Sequence, residues 1–195
     1  MLRIAYLIRN NYMEKKIRYL IVCASKYGST MQTGRWIGER LAGETMVAAA
    51  EDSPSPADMD AILIGSGVYS HTVLPAIQQY VKQFSTELTG KPTAVFGVAI
   101  DTTGVFVRGK VHGGWNYIMP LIDLLPEPPL HAALLGGEIN PLKLDEKDRK
   151  GLEKFYRMIG QSGEVPFKTR MTKQGAWEFA EKFMERLAGR GEKTA

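Results

Sequence analysis

Ser25, Ser29 and Thr30 surround a glycine in the run Ser25-Lys26-Tyr27-Gly28-Ser29-Thr30, which follows a short apolar stretch and leads into an amphipathic one. A helix beginning there presents backbone N–H groups without intrahelical partners and the positive end of its dipole, and the hydroxyls add further donors. Gly28 lets the backbone approach a ligand closely or adopt a positive φ. Together these groups suit the binding of a single phosphate. The competing reading is structural: Ser29 or Thr30 simply caps the helix. In either reading Lys26 is expected to point to solvent.

Other chemistries leave less trace. No Gly-x-x-x-x-Gly-Lys-Ser/Thr run occurs, which argues against a Walker-type nucleoside triphosphatase. Gly65 and Gly67 begin a pattern in which Ser70 stands where a dinucleotide fingerprint needs its third glycine, and they follow the wrong strand, so Rossmann-type NAD binding is disfavoured. No acidic cluster follows the first strand to hold magnesium for a phosphorelay receiver. His71, His112 and His131 share no metal-ligand spacing with one another or with Cys23, and no metal is expected. Cys23 lies inside an apolar run and reads as core.

These residues need elements to position them. Ile17 to Ala24 is an almost continuous apolar run of the kind that forms a strand covered on both faces. Met31 to Leu41 has helical spacing at Thr33, Trp36, Ile37, Arg40 and Leu41, with Gly43 as its stop. A short strand over Thr45 to Ala49 is followed by a Ser-Pro-Ser-Pro stretch, then by a strand from Asp60 that ends in a Gly65-Ser66-Gly67 turn. Pro75 opens a helix with Ile77, Val81 and Phe84 inward. Thr93 to Ile100 is a further strand, Asp101 to Gly114 a long loop, Trp115 to Leu125 a helix despite Pro120, and His131 to Ile139 the last strand. Two helices close the chain, Asp145 to Ile159 with Leu152, Phe155, Tyr156 and Ile159 inward, and Trp177 to Leu187 with Phe179, Ala180, Phe183 and Leu187 inward.

Strand alternating with helix implies right-handed crossovers and a parallel sheet with helices on both faces. Ligands of such sheets bind beyond the carboxyl ends of the strands, so the turn after each strand is the place to look.

A chain of 195 residues suits one core rather than two domains. Hydrophobic residues at 44% and charged residues at 24% exclude disordered, collagenous and fibrous classes. One cysteine excludes an internal disulfide framework and fits a reducing, cytoplasmic setting. Apolar runs fall well short of the roughly 20 residues of a membrane span. Lys plus Arg exceed Asp plus Glu by 25 to 21, for a formal charge of +4 and a pI of about 9.1, but the basic residues are scattered, and nucleic acid is not expected as a partner. Residues 1–16 read as a loose extension or an upstream start, 17–189 as the domain, and 190–195 as a tail.

Three segments carry a likeness. Ser25 to Thr30, the strand and turn Ile62-Leu-Ile-Gly-Ser-Gly-Val-Tyr69, and the ending Gln174-Gly-Ala-Trp-Glu-Phe-Ala-Glu-Lys-Phe183 together resemble the flavodoxin-domain family that contains the menaquinone-dependent protoporphyrinogen oxidases. The likeness spans about Ile17 to Leu187, and the order of motifs is more specific than any one loop.

The resemblance implies an α/β flavodoxin-like three-layer sandwich, a five-stranded parallel sheet of order 2-1-3-4-5, and noncovalently held FMN. It implies a phosphate loop of Ser25, Lys26, Tyr27, Gly28, Ser29 and Thr30. A second loop with Ser66, Gly67, Val68, Tyr69 and Ser70, and a third with Asp101, Thr102, Thr103 and Gly104, would flank the flavin ring. In the protoporphyrinogen-oxidase members an Arg-Tyr pair follows the third strand, whereas this chain has Tyr69-Ser70. The implied activity is FMN-dependent oxidation of protoporphyrinogen IX or a related substrate, with a quinone as acceptor; the alternative is a non-catalytic electron carrier serving a redox protein.

Several residues keep two readings at this stage. Tyr69 either stacks on the flavin or packs over the following helix. Trp115 and Tyr117 are helix-packing residues or ring-edge contacts, and His112 is an exposed loop residue or a proton donor near the flavin. Asp101 reads as a turn residue more readily than as a base. Arg108 and Lys110 are a solvated loop, or they favour a reduced anionic flavin, an acidic partner, a carboxylated substrate or a membrane surface touched peripherally. The basic stretch Leu142 to Lys173 reads as a solvated helical face or a docking surface. No catalytic residue is singled out.

Overall fold

The apolar run after Ile17 is buried along its length because it forms an inner strand of a sheet covered on both faces. The computed structural model describes residues 16–107, 110–158 and 160–192. Residues 1–15 of the expected extension, Arg108, Ile159 and residues 193–195 of the expected tail lie outside them.

In chain order the strands are β1 (Arg18–Ala24), β2 (Glu44–Ala49), β3 (Ala61–Tyr69), β4 (Thr72–Val73), β5 (Thr93–Ala99), β6 (Gly104–Val107), β7 (Lys110–Gly113), β8 (His131–Gly136), β9 (Glu138–Ile139) and β10 (Lys168–Thr169). The helices are α1 (Ser29–Arg40), α2 (Pro75–Gln83), α3 (Ser85–Leu88), α4 (Met119–Ile122), α5 (Glu146–Met158) and α6 (Lys173–Glu192). The main sheet runs β2-β1-β3-β5-β8, all parallel, so that counting only these strands the order is the expected 2-1-3-4-5.

Strand alternation divides the core into two layers. Tyr19, Ile21 and Cys23 of β1 pack with Ile37 of α1 and with Phe179, Ala180 and Phe183 of α6. Leu20, Val22 and Ala24 pack with Ile77, Tyr80 and Val81 of α2 and with Leu121 of α4. Each fully buried large side chain contributes about 1.5–3 kcal/mol, so packing rather than helix propensity holds these helices on the sheet.

The structure corrects the sequence expectations mainly after β3 and β5. Gly65, Ser66 and Gly67 are not a turn: β3 continues through them, in register with Phe96, Gly97 and Val98 of β5. The chain reverses at Ser70 and His71 instead, and β4 pairs back on β3. The expected long loop after β5 contains the antiparallel hairpin β6–β7, with Gly104 opposite Gly113 and β-branched residues between them. Trp115 to Leu125 is not one helix. A 3-10 turn over Gly114–Tyr117 precedes α4, which starts where Pro120 falls in its first turn, the one place a helix tolerates proline.

The last expected strand divides as well. The Gly137 amide bonds back to the Ala99 carbonyl at 2.7 Å, and β9 turns away to pair with β10. In α5 only Tyr156 is buried and Phe155 faces outward, because the helix starts against the turn after β1. The final helix is longer than expected at both ends.

Candidate functional site

The turn from β1 into α1 is built around two residues. Gly28 precedes the helix with φ of 92°, a left-handed conformation that any side chain would strain. Ser25 reaches across the turn, its Oγ accepting the backbone N–H of Gly28 at 3.1 Å and that of Thr30 at 3.2 Å. The expected cap from Ser29 or Thr30 is therefore not formed, and the position preceding the helix carries no side-chain cap. Thr30 is buried, and its Oγ1 has no hydrogen-bond partner among the described residues. A buried hydroxyl left so costs about 1–3 kcal/mol, which a ligand acceptor or donor would recover.

Lys26 does not point freely to solvent. Its Nζ lies 2.6 Å from Asp145 Oδ2 and 2.7 Å from Asp148 Oδ2, at the start of α5. Tyr27 Oη donates to the same Asp148 oxygen at 2.6 Å and accepts the Asp145 amide at 3.3 Å. Asp145 in turn caps α5 by accepting the Asp148 amide on Oδ1 at 2.8 Å. Hydrogen bonds to Asp145 and Asp148 raise the Lys26 pKa, and the bond from Lys26, then the backbone bond from Asp148, lowers that of Asp145. Nothing in the local sequence around Lys26 signals these partners, because they lie 118 to 122 residues away.

The end of β3 meets this turn. A Cβ at Gly67 would stand 2.6 Å from Tyr69 Cε2 and 3.2 Å from Thr30 Oγ1, so the absence of a side chain there is what admits the tyrosine ring. That ring lies edge-on to Tyr27, with centroids 5.8 Å apart. Burial raises the Tyr69 pKa, and the nearby backbone of Lys26 and Tyr27 opposes the rise. Tyr69 thus packs on the phosphate-loop candidate rather than over the helix that follows. Ser66, fully buried, holds the base of the β3–β4 hairpin: its Oγ accepts the Leu74 amide and donates to the Gly67 carbonyl, both at 2.9 Å. Val68 pairs with Val73, and Ser70 and His71 form the two-residue tip with φ of 48° and 67°. Such turns usually carry Asn-Gly; two non-glycine residues there store strain of about 1–3 kcal/mol each.

Beyond β5, Asp101 Oδ1 accepts the amide of Thr103 at 3.1 Å and its hydroxyl at 3.0 Å, a local turn that fits the structural reading of Asp101. Thr102 is half-buried, and Gly104 opens the hairpin. The His71 and Tyr117 rings lie 6.0 Å apart and join the second loop to the segment leaving the third. Around that hairpin Phe106 is 71% and Trp115 51% exposed, an unusual display of large apolar side chains. The side chains of Lys110 and His112 lie outside the described residues.

The remaining candidates are structural. Cys23 is buried and its thiol is pushed up to about 12 by desolvation, so it is a core residue. His131 packs on Phe179 at the opposite end of the sheet; burial, then Arg186 and Lys182, lowers its pKa to about 4. Among the described residues no group of three or more His, Cys, Asp or Glu is placed to hold a metal, and no helix is long and apolar enough to cross a membrane.

The family model described as a flavodoxin domain matches residues 20–165. No curated protein matches the chain. Among solved structures, a flavodoxin from the domain Archaea is 17% identical with a TM-score of 0.46, over 86% of this chain and 99% of that one. Oxidised flavodoxin 1 from Bacillus cereus is 17% identical with a TM-score of 0.49, over 86% and 97%. The rubredoxin oxygen:oxidoreductase of Desulfovibrio gigas is 16% identical with a TM-score of 0.42, and 96% of this chain matches 41% of that larger one. The family match runs from β1 past α5, through the parallel strands and the turn into α1, and the chain belongs to the flavodoxin-domain family.

Proposed function

We propose that this protein binds FMN at the carboxyl edge of its sheet and works as a flavin-dependent redox protein. The observation that carries the reading is the turn into α1, where Gly28 opens the backbone, α1 supplies its amino end, and the buried Thr30 hydroxyl has no partner among the described residues. These groups fit a phosphate dianion. Bound FMN supplies the electron or hydride chemistry, and the protein sets its orientation, potential and access.

In this reading Ser25, Gly28, Ser29 and Thr30 hold the phosphate, with Lys26 and Tyr27 anchoring the loop to α5. Tyr69 and Ser70 border one side of the ring, and Asp101, Thr102, Thr103 and Gly104 the other. A reducing, cytoplasmic setting suits the single buried thiol.

The finer reading is an enzyme that oxidises protoporphyrinogen IX or a related flat, carboxylated substrate and passes the electrons to a quinone. Exposed Phe106 and Trp115 beside the third loop favour it, since they offer an apolar platform next to the ring site. The other reading is an electron carrier whose partner is a redox protein. FMN titration of the purified protein, followed by anaerobic reduction with visible spectra, tests both. Rapid reoxidation by a menaquinone analogue is the outcome expected of the enzyme. Accumulation of one-electron-reduced absorbance without turnover of quinones or porphyrinogens would instead favour the carrier, and failure to bind FMN in any redox state would refute the cofactor assignment.

A further inference from the structure

α5 is joined to the body of the protein chiefly through its first turn. Tyr156 alone of its 13 residues is buried, and Phe155 and Met158 face outward. Three of its side-chain bonds are local: Lys150 to Glu146, Arg157 to Glu153, and Arg149 to the Pro141 carbonyl. The bonds that reach another part of the fold end on the turn into α1. There Asp148 Oδ2 lies 2.7 Å from Lys26 Nζ and accepts Tyr27 Oη at 2.6 Å, while Asp145, capping the helix, gives Lys26 a second carboxylate at 2.6 Å and donates its amide to Tyr27 Oη at 3.3 Å. Resting on the FMN reading, we propose that Asp148 is a positioning residue for the cofactor phosphate: through Lys26 and Tyr27 it clasps the turn in the shape that receives the phosphate, so that filling the turn and docking α5 strengthen one another.

The clasp bears on the middle of the turn. Lys26 and Tyr27 lie between Ser25, whose Oγ accepts the Gly28 and Thr30 amides, and Gly28, whose left-handed backbone leads into α1. Two donors from the turn converge on one oxygen of Asp148, and the Asp148 amide is itself held by Asp145 Oδ1 at 2.8 Å, so neither side chain can swing without disturbing α5. Tyr27 also stands edge-on to Tyr69 at the end of β3, which sets the clasp between α5 and the second loop of the site. Lys26 is committed to two carboxylates, and N–H groups and hydroxyls are left to meet the anion. A turn fixed beforehand loses less conformational freedom when it takes up a ligand. The coupling is reciprocal, so the phosphate stabilises docked α5 by as much as the clasp strengthens phosphate binding. Simple electrostatics gives the opposite sign, because removing a carboxylate beside an anion site should tighten the anion.

The test compares wild type with Asp148→Ala and with Tyr27→Phe, which deletes one hydroxyl of the clasp without changing charge. FMN and riboflavin are titrated against each protein, and amide hydrogen exchange is followed with and without each flavin. FMN is expected to bind about three- to ten-fold more weakly to Asp148→Ala, the range spanned by ordinary hydrogen bonds, and to weaken in the same direction but less in Tyr27→Phe. Riboflavin affinity stays as in wild type, and FMN, but not riboflavin, slows exchange across α5 in the wild type and not in Asp148→Ala. If the wild type binds FMN and Asp148→Ala binds it equally well or more tightly, the positioning role is overturned while the cofactor assignment stands. An equal loss of FMN and riboflavin also overturns it, since that marks damage to the whole site rather than to the phosphate turn. If the wild type binds no FMN, the cofactor assignment falls, and exchange in the ligand-free proteins decides the clasp: faster exchange of the Gly28 and Thr30 amides in Asp148→Ala sustains it, and unchanged exchange overturns it.

Discussion

The two ends of the parallel sheet solve the same problem differently. At the amino end, polar groups are closed off by the protein: Lys91 Nζ donates to the carbonyls of Ala57 and Met59, Arg186 donates to the Leu130 carbonyl, and Asp60 accepts the Arg18 amide. These bonds tie loops to strands. At the carboxyl end the Thr30 hydroxyl is buried without a partner among the described residues, Ser70 and His71 hold left-handed conformations, and Phe106 and Trp115 stand in solvent. Each of these costs free energy in the protein alone. The bonds at the amino end serve stability, and the costs at the carboxyl end gather where we propose that a ligand binds. The amino end has buried atoms of its own without a hydrogen-bond partner among the described residues, Arg18 Nε, Thr45 Oγ1 and His131 Nδ1, and at His131 burial keeps the imidazole neutral.

The largest expected effect comes from closing the space at Gly67. Gly67→Val drives a branched side chain into the Tyr69 ring and toward Thr30, and should cost about 2–3 kcal/mol in urea unfolding while abolishing FMN binding at micromolar concentrations. Unchanged binding would detach this position from the site. The next effect belongs to the amino end. The His131 pKa is about 4 in the fold and near 6.5 unfolded, so unfolding takes up a proton between those values. Stability is complete above about pH 6.5 and should fall by about 3 kcal/mol as pH drops toward 4. His131→Leu should flatten that part of the unfolding profile; a persistent slope would assign it elsewhere.

Much of this division is visible without coordinates. Parallel strands buried on both faces are continuous apolar runs, so β1, β3, β5 and β8 can be found from sequence, their order is what the flavodoxin resemblance implies, and the hydroxyl-rich turn after β1 marks itself. The hairpins after β3 and β5 escape because glycine is ambiguous: Gly67 reads as a turn former but serves a close ring contact inside a strand. Phe155 reads as inward because it follows helical spacing, yet α5 rests on the turn after β1 through its first residues and leaves that side chain outside. The contacts of Lys26 and Tyr27 with Asp145 and Asp148 join segments whose spacing carries no periodic signal. Tyr69 illustrates the same gap, since an aromatic at a strand end is readable as a site residue while its packing on Tyr27 and at Gly67 is not.

The two smallest effects on stability separate the parts of the carboxyl end. Thr30→Val keeps the shape of the side chain and removes a buried hydroxyl that has no partner, so the protein should be unchanged or more stable by about 1 kcal/mol, while FMN affinity falls about five-fold and riboflavin affinity does not. Loss of stability instead would mean that the hydroxyl is satisfied within the protein. Phe106→Ser and Trp115→Ser, at exposed positions, should each shift unfolding by less than about 0.5 kcal/mol and leave FMN affinity intact. If the hairpin receives a quinone or another flat substrate, reoxidation by a menaquinone analogue slows in these variants although the flavin is bound as before. A reoxidation rate equal to wild type would leave the exposed rings without a part in electron exit and would move attention to the strained Ser70-His71 tip on the other side of the site.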